Sequence, residues 1–204
     1  MVEDDLSEKK LPQASVANLE FLKDVIIRHP KISESDICDL GIKICAIDTT
    51  NSTQLFKAKK KLSVSDLAEI IKQTPDIDER IKNGDMSVVE EISRSAKQKH
   101  GYNPFSFASK FCHYHNFFLY GKNDYSVYDS NVKNWLLKYY KDKDKTLSET
   151  IQKELWKHTF NYTAFNDCIQ NVLNDMGLSE KENARMLFDK LVWVSEKYNN
   201  TGSS

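Results

Sequence analysis

The chain has few turn-forming residues: its 204 positions include only six glycines and four prolines. A turn-rich all-β architecture needs many more of both between its strands. No apolar run approaches the roughly 18–20 residues that a membrane span requires. The opening Met1-Val2-Glu3-Asp4-Asp5 is acidic with no apolar stretch behind it, so neither a membrane partner nor a secretory signal is expected. The four cysteines, Cys38, Cys45, Cys112 and Cys168, form no CxxC pair. Without a signal sequence they read as reduced thiols of a cytoplasmic protein. Their spacing also does not suit an iron–sulfur cluster. Cys112, His113 and His115 lie close together, with His100 nearby, but adjacent helix positions point apart and no second ligand group accompanies them. No metal and no cofactor is therefore expected.

An excess of one charge is also missing overall, since 29 Lys and Arg face 30 Asp and Glu. The distribution is uneven, however. Residues 97–145 carry nine basic side chains against four acidic ones, whereas residues 1–50 carry six against ten. A local basic stretch in a mildly acidic chain is the electrostatic footprint of phosphate contact, or else a solvated lysine face. The run Lys57–Lys61, four lysines in five residues, reads as a surface loop.

Hydrophobic spacing predicts an all-α, compact single unit over 1–204. A first helix runs from Ser15 to His29. A second follows Ser33 or Ser35 through Ile37, Leu40, Ile44 and Ile47. Ser63 opens a third, which Pro75 stops. Asp76 begins a short helix ended near Asn83-Gly84, and Asp85 to Lys99 makes another. Later helices are expected over Phe105–Leu119, Asp129–Lys141, Leu147–Trp156 and Tyr162–Met176, then from Ser179 onward, with residues 199–204 as a polar tail.

The segment 100–141 carries the chemistry. Gly101 to Pro104 forms a turn, and Ser106-Phe107-Ala108 opens a helix in which Lys110 lies between Phe107, Phe111 and Tyr114. A cation near a helix start is mildly disfavoured by the macrodipole, and apolar neighbours disfavour the charged form further. A partly deprotonated amine is what a nucleophilic lysine requires. Nineteen residues on, Asp129 stands as an N-cap ahead of Val132, Trp135 and Leu136. A solvated lysine and a purely capping aspartate remain the plain alternative.

This stretch resembles the hairpin and aspartate motif of the helix-hairpin-helix DNA glycosylases, especially the 8-oxoguanine glycosylase branch. The hairpin there reads proline–glycine–apolar–glycine–any–lysine. Here it reads Phe105-Ser106-Phe107-Ala108-Ser109-Lys110, and the following loop ends in Ser126-Val127-Tyr128-Asp129. Both glycines are replaced, by Ser106 and Ala108, which keeps the small size and loses some backbone freedom.

The resemblance implies a helix-hairpin-helix glycosylase-like fold and excision of a damaged or modified base from double-stranded DNA, in repair or in defence against modified foreign DNA. It implies Lys110 as nucleophile and Asp129 as its assistant, with AP lyase activity possible through a Schiff base. Ser106, Phe107, Ala108, Ser109, Ser130 and Asn131 are then the DNA-contacting positions, and Tyr114 stacks on the flipped base or packs in the core. The protein would act as a cytoplasmic or nucleoid-associated monomer. The altered hairpin glycines favour the rival reading, a non-catalytic helix-hairpin-helix DNA-binding module. The Lys110–Asp129 spacing favours the enzyme, because a pure binder needs neither residue. A helical interaction protein unrelated to DNA is a third reading, which the basic segment and the motif disfavour.

Overall fold

The computed structural model describes residues 13–51, 53, 55, 62–143, 145–149 and 161–201, and all regular structure among them is helical, with no strand. In chain order the helices are α1 (Gln13–Arg28), α2 (Ile37–Asn51), α3 (Val64–Lys72), α4 (Ile77–Lys82), α5 (Ser87–His100), α6 (Phe105–Tyr120), α7 (Ser130–Lys143), α8 (Tyr162–Asp175) and α9 (Ala184–Thr201). Residues 145–149 are also helical. They form the described start of the helix expected over Leu147–Trp156, the rest of which lies outside the described residues, as does the Lys57–Lys61 run. Helix α9 takes in the first residues of the segment expected as a tail. No helix among the described residues is long and apolar enough to cross a membrane.

Local chemistry accounts for the boundaries. Ser63 begins α3 with a reciprocal capping box: its hydroxyl accepts from the Asp66 amide at 3.1 Å, and Asp66 accepts from the Ser63 amide at 3.0 Å. Gly121 ends α6 in the left-handed region, at φ 63°, a conformation that costs glycine no Cβ clash.

Helix α6 is the axis of the molecule. It packs against α1, α2, α4 and α5, and Phe107 through Asn116 are buried without interruption. Polar side chains buried on such a helix need partners there, and among the described residues His115 Nε2 is the buried side-chain atom of α6 that lacks one. Three of those groups, Ser109, His113 and Asn116, are spaced four and three apart and so share one face. They bind the loop that follows. Asn116 Oδ1 accepts from the Asp124 amide at 3.1 Å, and its Nδ2 donates to the Ile81 carbonyl at 2.8 Å and to Asp124 Oδ2 at 3.0 Å. His113 Nδ1 lies 2.7 Å from the Tyr125 carbonyl, which makes that nitrogen the donor. Ser109 Oγ accepts from the Tyr128 amide at 3.0 Å. The chain thus turns at Gly121 and runs back along α6 toward its start.

The C-terminal helices hold the same loop from the other side. Tyr162 donates to the Ser126 carbonyl at 2.6 Å, and Asn166 Oδ1 accepts from the Ser126 amide at 3.1 Å. Arg185 donates to Ser126 Oγ and to the Asn123 carbonyl, each at 3.0 Å. Helices α7 and α8 pack on α9, and α8 also reaches α5. The loop passes so close to Gly84 that a Cβ there would stand 2.9 Å from Asp124 Cβ, and Gly84 itself has φ +71°.

Asn116→Ala strands the Asp124 amide and the Ile81 carbonyl. It is expected to lower the unfolding free energy by about 3 kcal/mol, read as a fall in the urea midpoint.

Candidate active site

The returning loop delivers Asp129 beside Lys110. Asp129 Oδ1 accepts from the amides of Asn131 at 3.0 Å and Val132 at 2.9 Å, capping α7. Its other oxygen, Oδ2, lies 3.5 Å from Lys110 Nζ. One carboxylate oxygen fixes the side chain and the second meets the lysine. Lys110 is 4% exposed, and a buried ammonium needs compensating partners. The second partner is the Asn51 carbonyl, 3.4 Å from Nζ. Asn51 ends α2, where backbone carbonyls lack intrahelical donors and the macrodipole is negative. The Asn51 side chain in turn accepts from the Tyr114 hydroxyl at 2.6 Å, so Tyr114, one turn beyond Lys110, steadies the residue that holds it.

Lys110 and Asp129 open into a cavity of about 590 Å³, lined also by Ser106, Ser130, Asn131 and Lys133, with Asp189 and Trp193 of α9 on its far wall. A second cavity of about 190 Å³ adjoins it, sharing Thr50, Asn51, Asp189 and Trp193 and reaching His113 and Tyr114.

The expected site residues therefore divide. Lys110, Asp129, Ser106, Ser130 and Asn131 meet in one cavity. Phe107, Ala108 and Ser109 have buried side chains: Phe107 packs on Phe111, and Ser109 is engaged with Tyr128 and the Ser106 carbonyl. The first-turn amides of Ser106 and Phe107 precede the intrahelical ladder, while the Ala108 amide already bonds to the Pro104 carbonyl at 2.9 Å. Tyr114 lines the smaller cavity and stacks on Phe118 with ring centroids 5.8 Å apart. Burial pushes its hydroxyl well above the usual tyrosine value.

Cys112, His113 and His115 form no metal group, and no cluster of three or more His, Cys, Asp or Glu fit for a metal exists among the described residues. Burial lowers His113 to about 4, so its ring is neutral at physiological pH and serves as a fixed donor to the loop.

Asn51, Asp189 and Trp193 are the residues that sequence reasoning missed. Asp189 and Trp193 share a face of α9, four residues apart, and that spacing was the one signal pointing to them. Asp189 is raised from its ordinary 3.8 to about 7, first by burial, then by the Asp129 carboxylate, against the opposing pull of Lys110 and Lys190.

Residues 4–124 match the family model HI_0787_N, described as an N-terminal domain. The match takes in Lys110 and the hairpin and ends ahead of Asp129. No curated protein and no solved structure gives a match.

A carboxyl raised in the folded state binds its proton more tightly there than in the unfolded chain. Asp189 therefore costs no stability below about pH 4, and its cost grows as pH rises toward 7 and persists above it. Asp189→Asn is expected to stabilise the protein relative to wild type at pH 8 and not at pH 4, read from urea midpoints at the two pH values.

Proposed function

We propose that this chain, which belongs to the HI_0787_N family, is a DNA glycosylase that removes a damaged or modified base with Lys110 as nucleophile. The observation that carries the reading is the buried Lys110–Asp129 pair, 3.5 Å apart at the head of a cavity. A pure scaffold gains little from burying an ammonium at the wall of an open cleft, since an apolar residue would fill the place at lower cost.

In this reading a nucleotide leaves the duplex stack, at a cost of a few kcal/mol, and its sugar enters the larger cavity. That cavity lies within the roughly 300–1,000 Å³ range of small-molecule sites. The base passes into the adjoining cavity, where Tyr114 closes the end and Trp193 stands at the shared wall. Lys110 first gives its ammonium proton to solvent, and the resulting amine attacks C1′ as the glycosidic bond breaks. Asp129, held in place by its two capping amides, offsets the positive charge that grows on the sugar. Ring opening leaves a Schiff base to Lys110, from which β-elimination can cut the strand. Ser106, Ser130, Asn131 and Lys133 at the rim face the backbone phosphates, and the basic 97–145 stretch supplies the long-range attraction. In this reading the chain acts as a monomer in the cytoplasm.

The replaced hairpin glycines, Ser106 and Ala108, favour a second reading: a DNA-binding module without catalysis. Borohydride trapping on an abasic-site duplex separates the two. The glycosylase reading expects a covalent protein–DNA adduct with wild type, none with Lys110→Gln, and at least a hundredfold slower trapping with Asp129→Asn, within the usual range for loss of a transition-state charge partner. Binding without any adduct would favour the module.

In either reading, several phosphate contacts should make binding weaken more than about a hundredfold between 50 and 200 mM salt, measured by fluorescence anisotropy. Salt-independent affinity would argue against a DNA partner.

A further inference from the structure

The wall between the two cavities holds a carboxyl that the reaction described above does not use. Asp189 projects from α9 into both cavities. Unlike Asp129, which accepts two backbone hydrogen bonds, it makes no hydrogen bond among the described residues. The site thus contains two carboxyls and one lysine. One carboxyl is anchored by two backbone amides at the sugar end, and the other stands without a donor where a base would leave. When environments divide two neighbouring carboxyls in this way, one works as the ion and the other as the acid.

We infer that Asp189 is the general acid of the site, holding a proton and delivering it to the departing base. This rests on the glycosylase reading. The C1′–N bond breaks with its electron pair on the base, and the Asp189 proton goes to that base. As the Lys110 nitrogen bonds to C1′ it sheds a proton, which returns to the Asp189 carboxylate, so the cycle balances without a further reactant.

The surroundings fit the role. Asp129 at the head of α7 disfavours a second negative charge, while Lys110 on α6 and Lys190 on the same helix favour it. The balance leaves the carboxyl near 7, a useful value for an acid at physiological pH. From α6, His113 is neutral at that pH and Tyr114 keeps its proton. From α2 come the uncharged Thr50 and Asn51, and Lys133 of α7 lines the larger cavity.

The test uses the full chain, with duplexes that each carry one modified base (8-oxoguanine, hypoxanthine or uracil) and an abasic-site duplex. The abasic site presents an open aldehyde and brings no base to protonate. Single-turnover base release by wild type should fall as pH rises through about 7. Asp189→Asn should slow release about a hundredfold, within the range for loss of a general acid, and should abolish that pH limb. It should slow borohydride trapping on the abasic duplex far less. Asp189→Glu, which keeps the acid, should recover part of the release and the limb.

Release by Asp189→Asn at the wild-type rate with the limb intact would overturn the inference, as would an equal fall in release and trapping. Trapping without release from any of the three duplexes would also overturn it, and would leave lysine chemistry standing. A wild type that neither traps nor releases would remove the glycosylase reading, and the acid with it.

Discussion

A buried polar stripe on one helix fixes the rest of this structure. Helix α6 runs through the interior, so Ser109, His113 and Asn116 had to find partners away from water. They find them in the backbone of the nine residues that follow the helix. Leaving even one such group unpaired costs about 1–3 kcal/mol, so the loop has little freedom to lie elsewhere. Its path ends at Asp129, whose carboxylate lies 3.5 Å from Lys110 Nζ. The position of the carboxylate is thus a consequence of core hydrogen bonding.

The lysine is held by the same logic. Lys110 reaches its place because the apolar residues around it are packed, and it is tolerated because the end of α2 and the capping aspartate both present oxygen to it. Removing either partner would leave a largely buried charge with only one oxygen to compensate it. The site is therefore over-determined by its neighbours, as a group must be when its chemistry conflicts with its surroundings.

Much of the fold was legible in the chain itself, because helical periodicity and caps such as Ser63 are local signals. The Lys110–Asp129 pairing was expected only from the family resemblance; the turn at Gly121 and the return along α6 that bring the two together are features of the fold. What could not be read was anything assembled across the fold. Asn51 lies 59 residues before Lys110, and Asp189 comes from the last helix; no spacing rule links such positions. The hairpin was read only in part. Phe107, Ala108 and Ser109 resemble a DNA-contacting pattern, yet their side chains are in the core, and of the first turns of α6 only Ser106 and Lys110 reach the cavity. Tyr114, expected either to stack on a flipped base or to pack in the core, is buried, lines the smaller cavity and is tied to Asn51.

The double anchoring of the 121–129 loop also shapes the order in which the molecule can become competent. One set of anchors belongs to α6; the other, Tyr162, Asn166 and Arg185, arrives late in the chain. During synthesis the amine of Lys110 would emerge well before the helices that complete its surroundings. A half-made chain can fold α6 against α1 and α2, but it has neither the far wall of the cavity nor the clamp that keeps Asp129 in place. Completion of the cavity around Lys110 and Asp129 is in this way deferred to the last stage of folding, and local opening of α8 or α9 would dismantle it while most of the helical body stays intact.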